Sequence, residues 1–319
     1  MNNVATQTSW PAIDYATIRP TADHLHRLTQ IAGKYTLNQP YESNWANILM
    51  SVTPRGYRSP VLRQGDVDFE IEYNLVDDQV TVMTNAGSAT LSVAEGSVSD
   101  FYAEFEQAVA PLGIGPIGSF SQPEIAGAPP IHADTEVRPY NSDAATLIAF
   151  ALGRAADAFG RYQSSYRGAR PRTGLWWGGF DISASRFHGQ RVPASASHPV
   201  FMQNGMLEEV VAVGFSFGDE RSPQASFYAY IAPQPEGLEG FDLGHPGAAW
   251  YADAGLMVLP WNAVCADADP IASVVAFADR VYAAAVELGG WPADLTIERV
   301  DGWQAAASPV VDQFSKALG

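Results

Sequence analysis

VDFEIEYNLVDDQVTVMTNAGSATLSV, residues 67–93, decides the fold class. Over 67–75 apolar and polar side chains alternate. Phe69, Ile71, Tyr73 and Leu75 point one way, while Glu70, Glu72 and Asn74 point the other. A period of two marks a half-buried strand. Asp77-Asp78 turns the chain into VTVMT, and Asn85–Gly87 turns it again into ATLSV. Turns this short join antiparallel neighbours, because parallel strands need a crossover of about a dozen residues or more. The expectation is a largely antiparallel sheet with helices on either side of it in the chain, an α+β fold.

Outward from that stretch, Thr21 can cap a helix to about Tyr35, with Leu25, Leu28 and Ile31 at helical spacing and Gly33 as its stop signal. ANILMSVT (46–53) reads as a strand, and 97–111 as a helix with Phe101, Phe105 and Val109 on one face. Residues 112–140 are rich in Gly, Pro and Ser and read as a linker. Asn141 or Ser142 then caps an Ala-rich helix to about Tyr166. GLWWGGFDISASRFHG (174–189) reads as a strand, followed by an irregular insert over 188–205. Further strands are expected at 208–217, 224–231 and 255–260, a helix at 269–288, and a short strand (DLTIERV) and weak helix in the tail.

Each half thus spells helix, four strands, helix, which suggests an internal repeat. An offset of 131 positions sets Trp45, Arg55 and Tyr57 against Trp176, Arg186 and His188. The expected organisation is an arm (1–20), a first α+β repeat (21–115), a Gly/Pro linker (116–140), a second repeat (141–290) and a C-terminal extension (291–319), with the repeats forming one pseudo-twofold body.

Composition narrows the function. The chain has 319 residues, 47% of them hydrophobic, and a net charge of −17. A phosphate backbone would be repelled by most of such a surface, so no nucleic-acid partner is expected. No apolar run approaches the roughly 20 residues that span a bilayer, so no membrane partner is expected either. MNNVATQTSWPAIDY lacks the basic flank and apolar centre of a secretory signal. Cys265 is the single cysteine, which rules out an internal disulfide and fits a reducing cytoplasm. A homo-oligomer is compatible with all of this.

No HExxH, GxSxG, P-loop or GxGxxG signature is present. The candidates are single residues, each with a plain structural reading beside the chemical one. Asp181 lies mid-strand among apolar residues. A buried carboxylate there needs a partner, for which Arg186 or Arg55 is the natural choice, or burial raises its pKa and makes it a general acid or base. Glu208-Glu209 opens a strand, so only one of the two can face a pocket. His26 sits on a helix and His188, like His198, beside the insert; either could handle protons or be a satisfied imidazole. Tyr228 and Tyr230 point to one side of a strand, where they pack or offer hydroxyls to a ligand. RYQSSYRGARPRTG (161–174) holds four arginines and no acid. It reads as a solvated helix C-terminus or as an anion-capturing segment.

The segments WPAIDYATIRPTADHLHRLTQIAGK, VTPRGYRSP, FEIEYNLVDDQ, SVSDFYAEFEQAVAPLGI, WWGGFDISASRF, FYAYIAPQPEG and AAAVELGGW together resemble the DUF5996 family, over about residues 10–291. The resemblance supports the fold and implies no activity. It does imply histidines where this chain has Asn44, Asn47, Gly174 and Glu208, so the chain reads as a diverged member. A metal or acid–base site built on those imidazoles would lack them here, whereas Trp45, Arg55, Asp181, Arg186 and Glu209 remain.

The favoured reading is an enzyme acting on a small molecule, one that can carry an anionic group, without metal or cofactor. Its cleft would lie between the repeats, lined by Trp45, Trp176, Trp177, Tyr228 and Tyr230. Glu208, Glu209, Asp181, His188 and His26 are the candidates for proton handling, and Arg55 or Arg186 would orient an anionic group. Hydrolysis, elimination, isomerisation and cyclisation all need no more than this. One alternative is a non-catalytic binding or accessory protein, and another is a metal-dependent enzyme with Glu and Asn ligands.

Overall fold

The structure is a computed structural model that describes residues 9–193, 200–205 and 207–297. The first eight residues of the arm, His198, the end of DLTIERV and the weak helix after it lie outside the described residues.

Helix α1 (Tyr15–Thr36) starts about two turns earlier than the sequence suggests. Its cap is Asp14, whose carboxylate accepts from the Thr17 backbone N–H at 3.2 Å and the Thr17 hydroxyl at 2.6 Å. Pro20 imitates a first-turn proline but lies inside the helix. Thr21 is buried and accepts from the Asn141 N–H at 3.0 Å. Gly33 does not stop the helix, which runs three residues past it.

A 3₁₀ segment (Ser43–Ile48) takes up the first part of ANILMSVT, and only β1 (Ser51–Thr53) is a strand. Then come β2 (Gly56–Arg58), β3 (Leu62–Gln64), β4 (Val67–Asn74), β5 (Gln79–Thr84), β6 (Ser88–Ser92) and α2 (Val98–Val109), capped by Ser97. The sheet order is β1-β2-β4-β5-β6, with β3 also on β4, and every pair is antiparallel. Phe69, Ile71, Tyr73 and Leu75 are buried, as their alternation requires.

Helix α3 (Ser142–Ser164) is capped by Asn141, whose side chain accepts from Ala144 N at 2.8 Å. Asn141→Ala should cost about 1 kcal/mol in urea denaturation; an unchanged midpoint would show that the cap carries no stability. The second sheet comprises β7 (Gly174–Trp176), β8 (Asp181–Arg191), β9 (Glu208–Ser216), β10 (Ser226–Ala232), β11 (Ala249–Tyr251) and β12 (Leu256–Pro260). Its order is β7-β8-β9-β10-β12-β11, again wholly antiparallel. Helix α4 (Val200–Gly205) precedes β9, and α5 (Trp261–Val264) and α6 (Pro270–Glu287) follow β12.

GLWWGGFDISASRFHG is therefore a hairpin, β7-turn-β8, and not one strand. Each sheet has six strands where four were expected. The offset of 131 lays residues 51–58, the β1–β2 hairpin, on 182–189, all inside β8. Those residue matches do not coincide with matching elements.

The sheets meet edge to edge. Met50 and Leu175 exchange both backbone hydrogen bonds at 2.9 Å. Gly174 permits this approach, since a Cβ there would lie 2.7 Å from the Met50 carbonyl oxygen. Arg172, from the arginine-rich stretch, spans the same seam by donating to Leu49 O at 2.5 Å and Ser51 Oγ at 3.0 Å. One core runs through both halves, from Leu28, Ile71 and Phe105 to Phe227, Trp261 and Phe277. Trp10 and Ile13 tie the arm to it; Trp10 stacks on Trp261 at 4.3 Å. No described helix is long and apolar enough to cross a membrane.

Candidate functional site

The β7–β8 turn, Trp177-Gly178-Gly179-Phe180, is short and tightly held. Phe180 N donates to Trp176 O at 2.8 Å, and Phe180 takes a left-handed φ of 54°. One face of α1 grips this turn at successive helical positions. His26 Nε2 donates to Gly178 O at 2.9 Å, and Gln30 Nε2 donates to Trp177 O at 3.0 Å. The Trp177 indole lies in a notch left by Gly33, where a Cβ would come 2.2 Å from its Cδ2. Its Nε1 donates to Thr36 Oγ1 at 3.1 Å. Lys34 lies over the Trp177 ring, 4.8 Å from its centroid, and donates to both oxygens of Glu124 at 3.0 and 3.1 Å.

Burial pushes the His26 imidazole down to about 4, with its bond to Gly178 opposing the shift. Between that value and about 6.5 the unfolded chain binds a proton that the folded chain refuses, so stability falls as pH is lowered through this window. Urea denaturation should show about 2 kcal/mol of loss between pH 7 and pH 5 from this group. His26→Gln should lack that portion; an equal loss in both proteins would show that His26 titrates freely.

Strand β8 then alternates. Asp181, Ser183, Ser185 and Phe187 face a cleft of about 700 Å³. Trp176 is the cross-strand partner of Asp181 and lines the same face, with its Nε1 bonded to Ser183 Oγ at 2.6 Å. Tyr228 and Tyr230 extend that face from β10. Two glycines let the polar groups converge. A Cβ on Gly179 would lie 2.4 Å from Asp181 Oδ1, and one on Gly214 would lie 2.2 Å from Tyr228 Cζ. The Tyr228 ring can therefore lie over β9, and its hydroxyl donates to Asp181 Oδ2. Burial pushes the Asp181 carboxyl up, while the Tyr228 hydrogen bond pulls it partly back. Burial and the Asp181 charge raise Tyr230 to about 12 and hold Tyr228 well above its ordinary value.

The facing wall comes from the first half and the Gly/Pro stretch: Leu37, Asn44, Trp45, Ile48, Pro123 and Glu124. Asn44 and Trp45 both adopt left-handed backbone, with φ of 57° and 60°. Two consecutive non-glycine residues in that region cost on the order of 1–3 kcal/mol each, and such strain gathers at functional sites. Glu124 rests over Gly178, where a Cβ would lie 3.3 Å from its Cγ.

The cleft thus brings together Trp45, Trp176, Trp177, Asp181, Tyr228 and Tyr230. It leaves the other candidates outside. His188 and Glu209 pair at 2.7 Å on the opposite face of the second sheet, with the imidazole 4.4 Å from the Trp291 ring. Arg186 is also on that face, fully buried, and does not pair with Asp181. Its guanidinium lies 3.5 Å from the Tyr162 ring, near Tyr166 and Tyr282, and donates to Tyr162 O. Arg55 is half exposed and pairs with Asp77 and Asn74 at a hairpin of the first sheet. Glu208 shares the cleft parity of β9 but lies beyond the lining, and one of its oxygens is buried without a partner among the described residues. His26 positions the turn from behind. Strand alternation separates these groups: 181, 183, 185 and 187 face one way, and 186 and 188 the other.

Lys34, Glu124 and Gly214 escape the sequence reading, although each leaves a trace, and Gly33 is read there only as a stop signal. Lys34 is one of two lysines, Glu124 is the sole charge between Glu106 and His132, and Gly214 interrupts an otherwise regular strand. Burial and the nearby Asp267 push the Cys265 thiol up, away from a nucleophile's requirement. Among the described residues no three His, Cys, Asp or Glu gather to hold a metal ion; Glu208 and Glu209 face opposite sides of β9.

A family model described as a family of unknown function, DUF5996, matches residues 10–297. No curated protein and no solved structure matches the chain.

Proposed function

We infer that this chain, which belongs to the DUF5996 family, is an enzyme that acts on a small molecule held in the aromatic cleft, with Asp181 as its acid–base group. The observation that carries the reading is the Asp181–Tyr228 pair. A carboxyl on the cleft floor is raised by burial and receives one hydrogen bond from a tyrosine that itself stays protonated. A general acid or base works best with a pKa near the operating pH, and burial moves a carboxyl in that direction. The strained Asn44-Trp45 backbone supports the same location. Hydrolysis, elimination, isomerisation and cyclisation are the reaction classes for which one such group and an aromatic wall suffice. His188, Glu209, Arg186 and Arg55 take no part in this reading.

The test is incubation of the purified protein with a small-molecule cell extract, followed by mass spectrometry. The wild type should deplete at least one component, and Asp181→Asn should leave it untouched. Equal depletion by both proteins overturns the assignment of Asp181. Binding of a component without depletion favours the non-catalytic reading, which the absence of any imidazole from the described cleft lining supports.

A further inference from the structure

We propose that the ligand of this cleft carries a basic nitrogen, protonated at neutral pH, held between the aromatic walls and the Asp181 carboxylate. This deepens the reading above and rests on the cleft being the ligand site.

The lining sets the sign of the charge. Trp45, Trp176, Tyr228 and Tyr230 contribute aromatic rings to the lining, and the face of such a ring attracts cations. Asp181 and Glu124 are the charged lining groups, and among the described residues no Lys, Arg or His lines the cleft. Arg170 and Arg172 flank the lining residue Pro171, but they donate to Tyr166 O and to Leu49 O and Ser51 Oγ. A carboxylate or phosphate ligand would meet no counter-charge among the described lining residues and would face Asp181, whereas anion sites are built from Arg, Lys or backbone N–H groups.

The protein already holds one ammonium in this manner at the cleft wall. The Lys34 side chain is only 2% exposed, yet its Nζ is satisfied by the Glu124 carboxylate and the Trp177 ring. Asp181, beside Trp176 and Tyr228, offers the same combination of carboxylate and aromatic rings in the cleft lining. The net charge of −17 also favours the approach of cations.

Isothermal titration of the full chain with three matched indoles tests the proposal: tryptamine (cation), tryptophol (neutral) and indole-3-acetate (anion). Tryptamine should bind at least about tenfold tighter than tryptophol, with indole-3-acetate weakest. Asp181→Asn, checked for folding by circular dichroism, should remove most of the tryptamine preference. Equal or tighter binding of tryptophol or indole-3-acetate overturns the charge assignment and leaves the cleft as a ligand site. If none of the three binds at millimolar concentration, the proposal also falls. The depletion assay with Asp181→Asn then decides separately whether the acid–base reading stands.

Discussion

Gly33→Ala should destabilise the protein by about 3 kcal/mol and open the cleft, although alanine is the better helix former. On an exposed helix the change gains about 1 kcal/mol. Gly33 is not in that setting. The new methyl would lie 2.2 Å from Trp177 Cδ2 and 2.5 Å from Cε3, so helix and turn must part. Overpacking of this kind costs about 1–3 kcal/mol by itself. Separation also weakens the Gln30–Trp177 and His26–Gly178 hydrogen bonds, each worth about 1 kcal/mol. The clash therefore outweighs the propensity gain. Gly153 and Gly160 on α3 provide the control, since a Cβ at either position meets nothing within 4 Å. Gly153→Ala or Gly160→Ala should raise stability by about 0.5–1 kcal/mol. The measurement is the urea midpoint at constant slope. If Gly33→Ala is as stabilising as Gly153→Ala, then α1 does not hold the turn as described.

This contrast shows what local sequence carries. A glycine three residues from a helix end reads as a stop signal, because chain neighbours alone cannot reveal an indole 144 positions away. Regular features were legible for the opposite reason. The alternation in β4, the Asn141 cap of α3 and the apolar face of α2 are set by neighbours in the chain, and the structure has them where the pattern puts them. The hairpin at 177–180 was hidden. Its turn is built from a tryptophan, two glycines and a left-handed phenylalanine, and its hold on α1 is long-range. The candidate site was half legible. Aromatic and acidic residues were recognisable as cleft material, but one sheet separates Asp181 from His188 and Arg186. That separation follows from strand parity once Asp181 is known to begin β8. Even as a single strand, 174–189 puts 181 and 186 on opposite faces, so strand parity alone is against a pairing of Asp181 with Arg186.

Asp181→Asn is the substitution with the largest expected functional effect. Loss of a positioned general acid or base lowers turnover by about 10²–10⁴-fold. The loss should appear in kcat at saturating substrate, because the amide keeps the shape of the carboxyl. Stability should move the other way. A carboxyl whose folded pKa is raised above its unfolded value binds more protons when folded, so it withdraws stability as pH climbs through that window. Asparagine removes this loss. The variant should be as stable as the wild type or more so at pH 7, with any advantage fading toward pH 3. Tyr228→Phe separates the proton-handling role from mere packing. The Tyr228 hydroxyl stabilises the carboxylate, so its removal should raise the Asp181 pKa further and shift the limb of the kcat profile that Asp181 sets to higher pH. Gly214→Ala should act in the same direction without altering any hydroxyl, because its methyl occupies the space of the Tyr228 ring. A common upward shift in both variants, with a far larger loss in Asp181→Asn, is the pattern that a tuned carboxyl produces. Full turnover in Asp181→Asn, or an unshifted limb in both other variants, would mean that Asp181 and Tyr228 only close the floor of the cleft.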